Sequence, residues 1–249
     1  MLAARAGAKE VISCEKETLV AEAAREIIER NGFNNKIRVV SKDLESVELG
    51  KDLSEKADLL VSEIIDNGLL GERVIPLIKY AKKKLLKRDA LIVPGQVAAR
   101  GALVGANSAL RKYQIDSVCG FDLSPFRRFY PPTVPMGKTS VEEHILSDPV
   151  DLLHLDFQSD PVTEKGGRLM EIAVREDGRA VGLLQWIRLR FDHDLILENH
   201  PGAPSKTWSP VCHLFPEPVP VKKGDLFRIS VEFDDEHLYI EPKGVAGKT

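Results

Sequence analysis

The 249-residue sequence has little cysteine, no long apolar run and no excess of one charge. Its three cysteines, Cys14, Cys119 and Cys212, are odd in number and far apart, so neither a disulfide framework nor a CxxC zinc pattern is encoded. That usage fits a reducing compartment, cytoplasm or nucleus. No stretch approaches the roughly 20 apolar residues of a membrane span. The first residues, with charge at Arg5 and Lys9, are too short an apolar run for a signal peptide. Lysine and arginine (35) nearly balance aspartate and glutamate (38), leaving a net charge of -3. No whole-molecule field therefore favours phosphate, which argues against direct nucleic-acid binding. What is present is 43% apolar residues. That is enough to bury a core in one large or two compact domains, and it excludes disorder throughout.

Residues 1–94 alternate short apolar runs with helical patterns. Lys9–Cys14 reads as a buried strand. Thr18 can cap a helix whose Leu19, Ala23, Ile27 and Val20, Ala24, Ile28 make one apolar stripe, and Asn31-Gly32 stops it. Ile37–Val40 is a second strand. Asp58–Glu63 is a third, apolar enough to be covered on both faces. A further helix runs from about Arg73 to Arg88, with Val74, Ile78, Ala81 and Leu85 inward. Strands spaced by helices imply a parallel sheet with right-handed crossovers.

Beyond Pro94 the period changes to two. Phe227, Ile229, Val231 and Phe233 alternate with Arg228, Ser230 and Glu232, and similar runs cover Leu152–Phe157, Leu169–Val174 and Val181–Phe191. Turn signals at Lys165-Gly166-Gly167, Asp177-Gly178 and Lys223-Gly224-Asp225 separate them. Residues 95–249 therefore read as antiparallel β closed into a barrel or sandwich. Pro125–Lys138 is irregular and reads as a loop or projecting arm.

In an open α/β sheet, ligands bind beyond the carboxyl ends of the strands. Glu15, Glu45 and Glu63 fall there. Glu15 can accept the hydroxyls of a nucleoside ribose; with even weight, it simply opens the helix, where a carboxylate is favourable. The glycine-rich turn that should lie some 20 residues before such an acid does not occur in the sequence. Residues 61–72 carry more information. Two glutamates, Glu63 and Glu72, sit in a glycine-containing loop after a buried strand. Two fixed carboxylates suit a guanidinium, which is planar, always charged and offers a fork of donors. A solvated loop is the plainer reading, but Ile64-Ile65 and Leu69-Leu70 would anchor it.

This segment resembles the double-E loop of the protein arginine methyltransferases, with Glu63 and Glu72 in the glutamate positions. Other pieces follow in the family's order. Ala3–Glu15 resembles the helix end and strand carrying the ribose-binding acid. Lys42-Asp43-Leu44-Glu45 resembles the adenine-contacting segment. Gly120–Ser124 resembles a motif early in the barrel, and Lys206-Thr207-Trp208 stands where the family has Thr-His-Trp. The sequence departs from the pattern at Thr207, in the missing glycine-rich loop and in the missing helix before it, so it reads as a divergent, N-terminally truncated member.

The resemblance implies a partial Rossmann-like methyltransferase domain over residues 1–94 and a β-barrel substrate domain over 95–249, with a dimerisation arm near 125–148. It implies S-adenosylmethionine as cofactor, held by Glu15, Leu44 and Glu45, and no metal. Glu63 and Glu72 become the catalytic pair, and Trp208 a wall of the arginine pocket or a half-buried tryptophan. Trp186 is read as core and Cys14 as inert packing. The substrates would be arginine-rich, glycine-spaced protein segments, and the chain would form a homodimer. The competing reading is a catalytically silent scaffold that keeps the pocket without the cofactor loop. A nucleoside-binding methyltransferase acting on something other than arginine is disfavoured by the two acids in one loop.

Overall fold

The computed structural model describes residues 1–106, 110, 117–136, 144–160, 162–203 and 207–247. The chain forms two compact units: Met1–Leu60 with Pro76–Leu91, and Val61–Ile75 with Ile92–Thr249.

In the first unit α1 (Leu2–Arg5) leads into β1 (Val11–Cys14), α2 (Thr18–Arg30) and β2 (Ile37–Val40). The strands pair in parallel, Val11 opposite Ile37 through Cys14 opposite Val40, as a strand–helix–strand crossover requires. Helix α2 stops where Asn31 caps it and Gly32 adopts φ +72°, a conformation open to a residue without Cβ. Its start differs from expectation. Glu17 is the N-cap, Thr18 is already helical, and no side chain of the N-cap bonds the first turn.

The expected single stripe of α2 also divides. Ala21 and Ile28 are buried with Ala4, Ile37 and Val39, whereas Leu19, Val20 and Ile27 are exposed. The covered face runs through Ala21, Ala24 and Ile28, and two four-residue strands leave open the positions about 100° or more to its side, Leu19, Val20 and Ile27. A second two-stranded sheet joins β3 (Ala57–Val61) to β4 (Leu86–Val93). Here too the sequence overstates cover: Leu59 and Val61, on one face of β3, are 43% and 66% exposed. Among the described residues β1 and β3 each pair on one side only. Apolar composition states what a strand can bury, not what lies over it. Helix α3 (Val74–Tyr80) gives way to a π-helical turn at Ala81–Leu85, and Leu86–Arg88 are already strand, so the helix ends earlier than periodicity implied. Val74, Ile78, Ala81 and Leu85 are buried as expected.

The second unit is antiparallel β. Its strands are β5 (Gln96–Gly105), β6 (Ser117–Val118), β7 (Phe121–Asp122), β8 (Thr133–Pro135), β9 (Val150–Asp156), β10 (Gly166–Ala173), β11 (Gly178–Arg190), β12 (Ile196–Glu198), β13 (Val211–Val221), β14 (Leu226–Phe233) and β15 (Leu238–Val245). One sheet runs β8-β13-β11-β5-β9, with β12 also on β11; another runs β10-β14-β15, and β6-β7 is a hairpin. Among the described residues these sheets stay open, so the expected barrel closure is not observed. Alternation fixes the two faces of each strand, while closure depends on which terminal strands meet, a long-range property. Between the sequence positions expected to form an arm, Ser124–Phe129 is a 3-10 helix and Thr133–Pro135 is an edge strand against β13. Residues 137–143 of that span lie outside the described residues.

Trp186 is core, packed with Ala102, Val104, Val181, Leu184 and Cys212. Its Nε1 donates to Glu198 Oε1 at 2.7 Å. Arg100 Nη1 reaches the same oxygen at 2.8 Å, and Arg188 Nε reaches Oε2 at 2.7 Å. Burial alone would raise the Glu198 carboxyl, but these three donors outweigh it and hold it below its ordinary value. A carboxyl lowered in the folded state adds stability above its unfolded pKa and loses it as pH falls through the folded one. Glu198→Gln should therefore cost about 1.5–3 kcal/mol at pH 7, the range for hydrogen bonds to charged groups. In urea titrations the gap to the parent should narrow as pH drops below 4.5, the ordinary value of this carboxyl. A gap independent of pH would show that the ionised form does not stabilise the fold.

Candidate functional site

The loop from Ser62 to Arg73 is built by its own residues and then fixed to the second unit. Ser62 N–H donates to Val93 O at 2.9 Å, joining the loop's start to the end of β4. Asp66 organises the bend: its carbonyl accepts from Leu69 N at 3.1 Å, and its Oδ1 from Gly71 N at 3.1 Å. A Cβ at Gly71 would stand 2.5 Å from Asp66 Oδ2, so a side chain there would push the Asp66 carboxylate aside. Leu69 and Arg73 hold positive φ, 82° and 60°. Such strain persists only where the surroundings over-determine it. Ile65, Leu69 and Leu70 are buried. Trp208 Nε1 donates to Ile65 O at 2.6 Å, Ser209 N to Asn67 Oδ1 at 2.7 Å, and Gln185 Nε2 to Gly68 O at 3.0 Å.

Glu63 and Glu72 stand exposed at the two ends of this anchored loop. Among the described residues neither makes an ion pair or a hydrogen bond; the nearby cation Arg73 pairs with Glu236, 3.4 Å away. Both carboxylates of one anchored loop are thus exposed, and a guanidinium, planar and always charged, carries a fork of five donors that two carboxylates can share. Trp208 is half-buried, and its indole N–H is spent on the loop. Thr207 is exposed, and Lys206 lies outside the described residues.

The nucleoside candidates belong to the first unit. Because β1 and β2 are parallel, Glu15 and the segment after Val40 leave the same end of the pair. Glu15 N bonds Val40 O at 3.0 Å, extending the ladder by one residue. Its Oε1 accepts from Glu17 N at 2.8 Å, so the helix-opening role is realised, and among the described residues its second oxygen has no hydrogen bond. Leu44 and Glu45 lie in a 3-10 turn, Leu44–Ser46, capped by Asp43, whose carboxylate accepts from Glu45 N at 3.1 Å.

Cys14 is exposed rather than packed. Its Sγ–H donates to Lys42 O at 3.1 Å, and partial burial with Asp43 and Glu15 nearby pushes the thiol up to about 11. It therefore stays protonated near neutrality. Among the described residues no His/Cys/Asp/Glu group could hold a metal.

The sequence reading missed Gln185, Ser209, Asp66 and Asn67. A signal existed for three of them. Gln185 is a lone amide in an otherwise apolar strand run, and Asp66-Asn67-Gly68 is a turn signature inside the loop.

No family model matches the chain. An arginine N(omega)-methyltransferase of Streptomyces achromogenes subsp. streptozoticus is 31% identical over 246 residues, covering 96% of this chain and 66% of that protein. The chain belongs to the protein arginine methyltransferase family. Protein arginine N-methyltransferase 7 of Drosophila melanogaster is 28% identical over 209 residues, 78% of this chain and 30% of the fly protein. The chain thus spans just under two thirds of the first relative and under a third of the second.

Two solved members of the family share the fold. The Trypanosoma brucei PRMT1 enzyme-prozyme heterotetrameric complex with AdoHcy superposes with a TM-score of 0.83 at 22% identity, over 96% of this chain and 78% of that one. Arabidopsis thaliana protein arginine methyltransferase 10 gives 0.78 at 19% identity, over 99% and 81%.

Proposed function

We propose that this chain serves transfer of a methyl group from S-adenosylmethionine to a guanidino nitrogen of arginine in protein segments. The observation that carries the reading is the anchored loop with both glutamates exposed and, among the described residues, without an ion pair. A guanidinium is a poor nucleophile because its lone pairs are delocalised. Held between Glu63 and Glu72, its positive charge is drawn towards the two carboxylates and away from one terminal nitrogen. The same contacts fix where that nitrogen points. Positioning and a preorganised field then supply most of the acceleration.

The cofactor, when bound, would supply an electrophilic sulfonium methyl and leave as the neutral thioether, while the methylated nitrogen gives up one proton to solvent. Glu15 and the Leu44–Glu45 turn fit a nucleoside, since both leave the carboxyl end of one parallel pair and Glu15 keeps an oxygen for a ribose hydroxyl. Self-association belongs to the proposal. Val118, Phe121, Phe126 and Phe129 are exposed near the expected arm, with the rings of Phe126 and Phe129 5.8 Å apart. A second copy would cover them.

The second reading is a silent arginine-binding scaffold. It is favoured by Thr207 in place of the family's histidine and by the bare face of β3. One experiment separates the two. The protein is given S-adenosylmethionine and a glycine-spaced arginine peptide, peptide binding is followed calorimetrically, and product is read by mass spectrometry. The enzymatic reading expects methylarginine, its yield falling with Glu15→Ala, from a species that sediments as a dimer at tens of micromolar. Peptide binding without any methylarginine would leave the scaffold.

A further inference from the structure

We propose that Gln185 and His213 are positioning residues for the glutamate loop, acting through a buried relay that ends on the Gly68 carbonyl. The inference rests on the arginine-site reading for its purpose, but not for its geometry. Gln185 lies in β11 with no exposed surface, and His213 in β13 is 8% exposed. In the antiparallel register Gln185 faces Val211, so His213, two residues on, projects from the same face. Gln185 Nε2 donates to Gly68 O at 3.0 Å, and its Oε1 lies 2.6 Å from His213 Nε2. The amide orientation follows from the network: a carbonyl acceptor at Gly68 demands the NH2 group, which leaves the oxygen for a histidine that must carry its proton on Nε2. Burial pushes His213 down to about 4, so the ring is neutral near pH 7 and this tautomer is the whole relay.

A glutamine among Leu183, Leu184 and Trp186 adds nothing to packing that leucine would not add at less cost. Buried amides are tolerated where their bonding capacity is used. Here that capacity is spent on the middle of the loop, between Glu63 and Glu72 and next to Leu69 with its positive φ. The backbone is shaped to allow it. A Cβ at Gly182, where the β11–β13 register shifts, would meet His213 O at 2.5 Å. Gln185 thus fixes the loop from below, as Trp208 and Ser209 fix it at Ile65 and Asn67.

The test compares Gln185→Met with the double variant Gln185→Met/His213→Phe. The single variant leaves Gly68 O and His213 Nε2 without partners; the double replaces both buried polar side chains by apolar ones of similar volume, which removes most of the stability penalty. Amide hydrogen exchange is read at Leu69, Gly71 and Arg73, whose N–H groups close the loop, and at β5 as an internal reference. The Trp208 indole N–H serves as a second reporter, resolved from Trp186 because the sequence has only two tryptophans. In the double variant the expected result is unfolding like the parent's, unchanged exchange in β5, at least tenfold faster exchange at the three loop amides, and about tenfold weaker binding of an arginine peptide. Loop exchange equal to the parent's in the double variant would overturn the relay. Loss of the arginine reading shows differently: Glu63→Gln and Glu72→Gln would then leave peptide affinity untouched while the relay's exchange signature persists.

Discussion

Glu63→Gln and Glu72→Gln are each expected to abolish measurable methyl transfer to an arginine peptide while leaving the fold intact. The side chains are exposed and make no ion pair or hydrogen bond among the described residues, so the thermal midpoint should move little. The substrate complex is different. A guanidinium drawn into the loop loses water, and with one carboxylate gone it stays half paired. Removing one partner of a desolvated ion pair costs about 3–5 kcal/mol, roughly a hundred- to several-thousand-fold in kcat/KM. Glutamine keeps the shape but offers one accepting oxygen where the carboxylate offers two, so a bidentate contact is lost together with the charge. The surface carboxylate Glu171, paired with Arg228 at 2.9 Å on β10 and β14, is the control, since exposed pairs contribute little. Turnover by Glu63→Gln or Glu72→Gln within a few-fold of the parent would remove the guanidinium from the site.

Which parts of this were legible in the sequence follows from the range of the interactions. Strand positions were readable because alternation and β-rich runs are local: β2 falls on Ile37–Val40, and β11 and β14 lie within a few residues of their apolar runs. The inward residues of α3 were readable for the same reason, although its end was not, because the switch to strand at Leu86 follows from pairing with β3. Cover was the weakest inference. Leu19, Ile27, Leu59 and Val61 are apolar in pattern and exposed in fact, since periodicity cannot say whether a neighbour exists. In the loop, Glu63 and Glu72 could be singled out by type and spacing. What holds the loop could not be read, because the pairing of Gln185, Trp208 and Ser209 with it spans 117, 143 and 142 residues. The closed barrel failed on the same ground, as a statement about strands that meet last.

The loop's strain gives the second large effect. Leu69 is fully buried at φ +82°, where an L-residue costs about 1–2 kcal/mol relative to the right-handed region. Leucine persists because burying its side chain returns about 1.5–3 kcal/mol, and because the Asp66 carbonyl and Gly68's anchor hold the backbone there. Leu69→Ala keeps the strain and opens a cavity, with an expected loss of about 2–5 kcal/mol. Leu69→Gly opens a similar cavity but relieves the strain, and should therefore be the milder substitution by about 1 kcal/mol. At ordinary positions glycine is the worse of the two by a similar amount, through its unfolded-state entropy, so the inverted order is diagnostic. Urea titrations of both variants read it directly. Arginine-peptide affinity should fall in both, because the bend between Glu63 and Glu72 loses the side chain that seats it. If alanine proves the more stable replacement, the left-handed residue is not an obligate part of the loop, and the two carboxylates are set by the hydrogen bonds of Asp66, Trp208 and Gln185 alone.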